Sequence, residues 1–428
     1  MTGEKNKTLL QILETRAAQE PGKIAFTFHS DSPCTYGSLW QEIDRLGHSL
    51  PEQGLAPKEP VILAVPNSSQ FFYAFYGVQR AGGIAVPVFP GSGAERIIKL
   101  AGLCKAKNII VSRIYPPDKI ADLKQKANGT NHRILYLEED FRSASSRPLP
   151  QIFSSDTAFI QFTSGSMSDP RGVQLTHDNI MTNLEQMTAG LEITAADIFV
   201  SWLPVYHDMG LILMTMVPFL LGNPLTLLPT GLNYLKSWLK VIQEQGATFT
   251  AAPDFAYRLS LLYTRDTENY DLSSLRVAIN AAEPVRSSTI IRFEERFELE
   301  NVVLPAYGMA EATVGVCGWK PGSRIKIDRR GFVSVGMPFP GVQMRLKKNN
   351  KPALPGESGE IFVKSSANTS GYFQNPQATQ KLFDKDAISG PEIWDTRMKR
   401  AIFSSSGGKK ILLSREGLPF LPGRLRNW

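Results

Sequence analysis

The sequence predicts an α/β chain: two doubly wound subdomains of parallel-rich sheet flanked by helices, plus a small C-terminal β subdomain. Three observations predict it. From Thr8 onward helical periodicity alternates with short apolar strands, the pattern of a parallel sheet wound with helices on both faces. The chain has 428 residues, too many for one core, and is 42% hydrophobic, enough to bury several. After about Arg329 the helical stretches give way to glycine, proline and short strands.

Taken in order, Thr35 caps a helix with Leu39, Ile43, Leu46 and Leu50 on one stripe, and the run from Pro60 is a fully buried strand. A helix from Ser68 closes at Gly82 and Gly83, and a further strand begins at Ile84. The Ser- and Pro-rich residues 142–156 set a boundary, giving an α/β unit over 1–150 and another over 151–328. The second unit contains strands near Ile198, Leu225, Thr248, Arg276 and Val302, with a helical stretch over 232–245. The β subdomain covers 329–396, with strands over 342–346 and 360–363, and a basic, divergent tail covers 397–428.

Composition excludes several function classes. The net charge of +7 belongs to the tail, where residues 397–428 carry eight Lys or Arg and one Glu, while residues 1–396 hold 39 charges of each sign. With no aromatic-interleaved basic patch in the body, nucleic-acid binding is not expected. The longest apolar run, residues 209–221, is broken by Pro218 and falls short of a bilayer span, so it reads as a buried helix and no transmembrane insertion is expected. The N-terminal MTGEKNKTLL lacks the apolar stretch and cleavage site of a secretion signal. Cys34, Cys104 and Cys317 are few, odd in number and far apart, which fits reduced thiols in a cytoplasm and no metal framework.

Three segments carry chemistry. In residues 159–177, FIQFTSGSMSDPRGVQLTH, a strand ends in a hydroxyl- and glycine-rich loop over 163–172, and Thr176 caps a helix with Ile180, Leu184, Met187 and Leu191 on one face. Backbone N–H groups of such a loop entering a helix, with the Thr163, Ser164 and Ser166 hydroxyls and Arg171, can converge on phosphate; a flexible turn would look the same. The loop is not of the nucleotide-hydrolase kind, because Val173 follows Gly172 where a Lys-Ser or Lys-Thr pair would stand. In residues 201–210, SWLPVYHDMG, His207 stands beside Asp208 at a strand end, as a base and its orienter would. No G-x-S-x-G occurs to supply a nucleophile, and a His capping the next helix is the plainer alternative. In residues 304–313, LPAYGMAEAT, Tyr307 precedes Glu311 by four with Gly308 between. Taken alone, Glu311 reads as an exposed residue at a helix start, favoured there by the macrodipole.

In this order and at these intervals the three segments resemble the adenylate-forming superfamily, which activates carboxylic acids as acyl-AMP, over roughly residues 8–383. The Trp-Leu-Pro lead into Tyr206-His207-Asp208-Met209-Gly210 is similar to the fatty acyl-AMP ligases, with long-chain acyl-CoA ligases next. The resemblance implies ATP and Mg²⁺ as cofactors and a fatty acid as substrate. It also implies release of pyrophosphate and transfer to an acyl carrier protein thiol or CoA. It assigns Thr163, Ser164, Gly165, Ser166, Arg171 and Gly172 to the pyrophosphate, and Ala281, Ala282 and Glu283 to an adenine wall. Tyr307, with Gly308 and Met309, would stack on the base, Glu311 would hold the metal, and His207 would border the carboxylate and acyl tunnel. Thr163, His207 and Glu311 form the expected catalytic set. The apolar helix after Met209 and residues 251–257 are expected to line the tunnel, although core packing explains them equally well. Gly359-Glu360 and Gly371-Tyr372 match landmarks of the β subdomain expected to serve structure.

The pattern also departs from the family. Where a Trp-x-x-T-G-D segment supplies a ribose-binding Asp, Trp394-Asp395-Thr396 runs into Arg397-Met398, leaving Asp395 as the stand-in. Losing that charged hydrogen bond weakens ATP binding by roughly 1.5 to 3 kcal/mol. Residues 423–428 resemble the family's hinge, with Arg424 toward the nucleotide and Asn427 in place of the pivot Asp. The family's small lysine-bearing domain does not follow. The expectation is therefore binding of ATP and acyl group, with slow turnover, or none, unless another chain completes the site. Only twenty residues separate Thr313 from Ser334, short for the insertion that disfavours CoA, so both acceptors stay open.

Overall fold

The computed structural model describes residues 7–28, 32–141, 148–163, 170–231, 234–264, 269–329, 331–349, 351–354, 357–383, 395–405 and 409–413. The helix Ser69–Arg80 joins its two main sheets. Four aromatic residues on this one helix, Phe71, Phe72, Phe75 and Tyr76, are buried. Phe75 lies 5.5 Å from Phe159 in one sheet, and Phe72 lies 5.0 Å from Phe26 in the other. A helix apolar nearly all round belongs in an interior, and here it is the shared layer between two sheets.

The first sheet has six strands in the order Arg133–Tyr136, Asn108–Val111, Pro60–Ala64, Ile84–Pro87, Thr157–Phe162 and Gly172–Thr176. All neighbours are parallel except the last pair. The second has seven, in the order Val303–Pro305, Val277–Asn280, Phe249–Ala252, Phe199–Ser201, Leu225–Leu227, Ile24–Phe28 and Cys34–Thr35. The predicted α/β class with parallel-rich sheets holds, but a boundary at residue 150 does not separate the sheets. Ile24–Phe28 crosses into the second sheet to pair with Leu225–Leu227, while Thr157–Phe162 and Gly172–Thr176 belong to the first. Backbone pairing between strands two hundred residues apart leaves no mark in local composition.

Residues 172–176 give a second correction. They form a strand antiparallel to Thr157–Phe162, so the phosphate-loop segment links two strands and does not run straight into a helix. Burial of Val173 and Leu175, with Gln174 between them half-buried, sets that strand. Thr176 then caps the helix His177–Gly190 as expected, accepting from Asn179 N at 3.1 Å in a capping box.

Beyond the sheets, Tyr307–Gly308, Gly315–Gly318 and Met337–Pro338 form a small antiparallel sheet. Gln343–Lys348, Lys351–Pro352, Ser358–Lys364, Asp395–Ser405 and Lys409–Leu413 form another. The expected end of the β subdomain at 396 falls inside Asp395–Ser405, which pairs with Ser358–Lys364 and with Lys409–Leu413, so part of the basic tail completes this sheet. The run after Met209 is a π-helix, Met209–Met216, continued by the helix Val217–Leu221. Among the described residues no helix is long and apolar enough to cross a membrane.

The first residue of the capped helix carries a pH-dependent contribution to stability. His177 is buried, and burial lowers its pKa from 6.5 to about 4, with Asp156 opposing weakly. The unfolded chain therefore binds the extra proton first as pH falls. Stability is full above pH 6.5 and is lost toward pH 4, by about 3 kcal/mol in all. Denaturant titrations of wild type and His177→Gln should show the stability difference shifting in the variant's favour across that window; a pH-independent difference contradicts the assignment.

Candidate active site

The site lies at the carboxyl ends of the second sheet's parallel strands. Phe199–Ser201 is flanked by Leu225–Leu227 on one side and Phe249–Ala252 on the other, so the chain reverses direction across the sheet at this strand. Ligands of open α/β sheets bind where that reversal opens a crevice. His207 and Asp208 follow Phe199–Ser201, Ala281 and Ala282 follow Val277–Asn280, and Tyr307 follows Val303–Pro305. All of them line one cavity of ≈ 200 Å³, with Gly308, Met187, Leu191, Met209, Leu213, Val314, Gly315, Cys317 and Phe339.

His207 Nδ1 lies 2.7 Å from Asp208 Oδ1, and that carboxylate also accepts from Met209 N at 2.8 Å, at the start of the π-helix. Burial works against the imidazolium, but the Asp208 charge and hydrogen bond outweigh it and raise the His207 pKa; Asp208 is lowered for the reciprocal reason. The wall beside the expected carboxylate thus favours a cation. No serine or threonine among the described residues lines this cavity, and burial pushes the Cys317 thiol up to about 12, so neither a serine or threonine hydroxyl nor a thiolate nucleophile is presented.

The turn after Val277–Asn280 holds Ala282 at φ 67°, a left-handed conformation uncommon outside glycine. Buried Asp254 anchors it, accepting from Arg286 N at 3.1 Å, Asn280 Nδ2 at 3.3 Å, Thr289 Oγ1 at 3.2 Å and Arg258 Nε at 3.1 Å. The Glu283 carboxylate turns away from the cavity to accept from Phe255 N, so of the expected adenine wall only Ala281 and Ala282 line the space. Asp254→Ala, which leaves fully buried Asn280 short of a partner, is expected to cost about 3 kcal/mol and to weaken nucleotide binding. Urea unfolding and calorimetry with ATP check this; wild-type values in both would contradict the anchoring role.

The expected tunnel segments divide. Met209 and Leu213 line the cavity, whereas residues 251–257 do not. Phe255 packs on Trp202, and Tyr257 packs between Trp238 and Phe293 and donates to Ile279 O at 2.8 Å, so this stretch is filled core.

Tyr307–Gly308 continues into a turn, Ala310–Ala312, that carries Glu311. Three residues span at most about 11 Å, so Glu311 lies within that reach of cavity-lining Gly308. Met309 is buried and receives the Tyr307 hydroxyl at its Sδ, 3.7 Å away. The turn closes at Thr313 with φ 69° and ψ −67°, a strained γ-turn in which Val314 N donates to Ala312 O at 2.9 Å. Thr313 Oγ1 donates to Ala367 O, 2.6 Å away, and buried Asn183 Oδ1 accepts from Val314 N and Gly315 N, which holds the turn.

Thr163, Arg171 and Glu311 do not line the main cavity. Thr163 N donates to Arg171 O at 3.0 Å at the mouth of the loop, and the Arg171 guanidinium lies 5.4 Å from the centre of the Tyr372 ring. The Tyr372 hydroxyl donates to Glu311 Oε1 at 2.7 Å. These contacts gather the cation of the first segment and the acid of the third beside the cavity. Gly172 begins the returning strand, and its carbonyl accepts from Phe373 N at 2.8 Å. Ser164, Gly165, Ser166 and Arg424 lie outside the described residues, as do Trp394 and the hinge-like 423–428; Asp395 is described through its backbone pairing with Val363.

Sequence reasoning missed Asn183, Phe339 and the contact of Tyr372 with Glu311. Asn183 alone had a signal, since an amide beside the apolar stripe of Ile180, Leu184 and Met187 must find a partner once buried.

Comparison with known proteins places the chain in a family. Residues 13–373 match the AMP-binding enzyme family. The chain is 28% identical over 432 residues to the long-chain-fatty-acid–AMP ligase FadD26 of Mycobacterium tuberculosis, covering 90% of this chain and 73% of that one. It is 29% identical over 423 residues to a 4-hydroxyphenylalkanoate adenylyltransferase of the same species, covering 88% and 68%. Among solved structures, a fatty acyl-adenylate ligase from L. pneumophila in complex with acyl adenylate and pyrophosphate superposes with a TM-score of 0.85, at 27% identity, covering 95% of this chain and 76% of that one. The chain belongs to the AMP-binding enzyme family and is an adenylate-forming ligase close to the fatty acyl-AMP ligases.

Proposed function

We propose that the chain activates a medium- or long-chain fatty acid as its acyl-adenylate, releasing pyrophosphate, for transfer to a carrier-protein phosphopantetheine thiol. The observation that carries this reading is one cavity in which apolar Met187, Leu191, Met209, Leu213 and Phe339 meet Ala281, Ala282, Tyr307 and Gly308, with His207 among them. In this reading the acyl chain occupies the apolar side, adenine lies against the Ala281–Ala282 turn and Tyr307, and the carboxylate sits beside His207. An imidazolium there offsets charge as one anion approaches another. A carboxylate oxygen bonds to the α-phosphorus, the bond from that phosphorus to the oxygen bridging it to the β-phosphorus breaks, and pyrophosphate leaves toward Thr163 and Arg171. The names of the similar proteins, a fatty-acid–AMP ligase and a fatty acyl-adenylate ligase, support the same step.

Glu311 would hold Mg²⁺. A hard cation of this kind takes one carboxylate and completes its shell with phosphate and water. When bound, that ion neutralises phosphate charge. A CoA acceptor is favoured by one observation, the twenty residues between Thr313 and Ser334. Buried, free Cys34, Cys104 and Cys317 support a cytoplasmic setting.

The test is pyrophosphate exchange into ATP driven by lauric or palmitic acid. Exchange that saturates with acid supports the reading; ATP binding by calorimetry without exchange for any acid supports a binding function instead. Supplying CoA or a phosphopantetheine-loaded carrier protein and following thioester formation identifies the acceptor.

A further inference from the structure

We infer that Tyr372 is a positioning residue for this adenylation step: its hydroxyl fixes the Glu311 carboxylate while its ring backs the Arg171 guanidinium, so that acid and cation face the phosphates as one unit. The inference rests on the proposed function and deepens it. Tyr372 is 7% exposed, donates to Glu311 Oε1 at 2.7 Å, and has Arg171 5.4 Å from its ring centre. Its backbone is tied to both sides of the site. Toward the loop, it bridges Val173, Gln174 N donates to Gly371 O at 3.2 Å, and Phe373 N donates to Gly172 O at 2.8 Å. Toward the acid, Thr369 N donates to Glu311 O at 2.8 Å and Thr313 Oγ1 to Ala367 O at 2.6 Å. Residues 367–373 therefore clamp the strand leaving the phosphate loop to the turn bearing Glu311, and Tyr372 is the residue whose side chain reaches both functional groups. A carboxylate held by one donor keeps its other oxygen in a fixed direction, which is the arrangement a metal ligand needs.

Tyr372→Phe separates this role from packing, because the ring stays and the hydrogen bond goes. The Mn²⁺ affinity of the chain with a non-hydrolysable ATP analogue, read by electron paramagnetic resonance, should fall by roughly tenfold, the loss expected for one hydrogen bond to a charged group. The Mg²⁺ concentration for half-maximal exchange should rise by a similar factor, with half-saturation by fatty acid unchanged and the melting temperature lowered by no more than about 2 °C. Wild-type Mn²⁺ affinity in Tyr372→Phe overturns the proposal, as does an equal loss of metal and fatty-acid affinity, which is what a merely structural role would give. If the wild-type chain exchanges no pyrophosphate yet Tyr372→Phe still weakens Mn²⁺ binding, the positioning role stands and the adenylation reading falls. Absence of Mn²⁺ binding to wild type with the analogue overturns both.

Discussion

Replacing Glu311 with alanine is expected to lower fatty-acid-dependent pyrophosphate exchange by about two to three orders of magnitude while leaving the fold intact. The side chain is half-buried and its Oε1 accepts a hydrogen bond from Tyr372 at 2.7 Å, so its removal costs about 1 kcal/mol of stability. Its chemical role is larger than its structural one. The reaction brings a carboxylate to a triphosphate, and removing one preorganised element of charge stabilisation at such a centre typically lowers the rate 10²- to 10³-fold, or roughly 3 to 4 kcal/mol. Fatty-acid binding by calorimetry should be unchanged, because the apolar side of the cavity is lined by residues such as Met187, Leu213 and Phe339. Exchange within threefold of wild type would remove Glu311 from the metal site.

The second large effect is expected at Gly308. A Cβ there would lie 1.7 Å from the carbonyl oxygen of Val314, the same oxygen that accepts from Met309 N at 2.9 Å. Val314 has no room to retreat, since its N–H and that of Gly315 are both held by buried Asn183. Gly308→Ala must therefore break the pairing of Tyr307–Gly308 with Gly315–Gly318, displacing the Tyr307 ring and the Glu311 turn together. A loss of about 3 kcal/mol in denaturant unfolding and failure of ATP binding are expected. Gly102, helical and with nothing within 4 Å of an added Cβ, is the control: Gly102→Ala should stabilise by up to about 1 kcal/mol. A Gly308→Ala chain as stable as the control, and still binding ATP, would contradict the close-approach argument.

Much of this was legible in the sequence where the signal is local. Thr35 and Thr176 form the capping boxes their positions suggest, and the buried stripe Leu39, Ile43 and Leu46 follows from 3.6-residue periodicity. Two of the three motifs and the Ala281–Ala282 segment supply residues that line one cavity, His207, Tyr307 and Gly308 among them, whereas Thr163, Arg171 and Glu311 do not line it. What the sequence hid is non-local. Nothing in residues 24–28 names Leu225–Leu227 as their partner, and nothing in Tyr372 announces Glu311, 61 residues away. The hairpin at 172–176 was hidden because a short Val-Gln-Leu alternation ahead of a capping Thr reads equally as the end of a loop. The π-helix was hidden because Met209–Met216 is buried at every position, which erases the periodicity that distinguishes one helix type from another. For residues 251–257, apolar character alone could not separate a tunnel wall from packed core.

In the proposed function, one cavity joins an acyl carboxylate to the α-phosphorus of ATP. The direct measurement is isotopic: supply lauric acid labelled with ¹⁸O in both carboxylate oxygens, ATP and Mg²⁺, and analyse the nucleotide product after the acyl group has been released by attack at its carbonyl carbon. AMP carrying one ¹⁸O is expected, since the oxygen bridging carbonyl and phosphorus comes from the acid. Unlabelled AMP, or label found in orthophosphate alongside ADP, would contradict it.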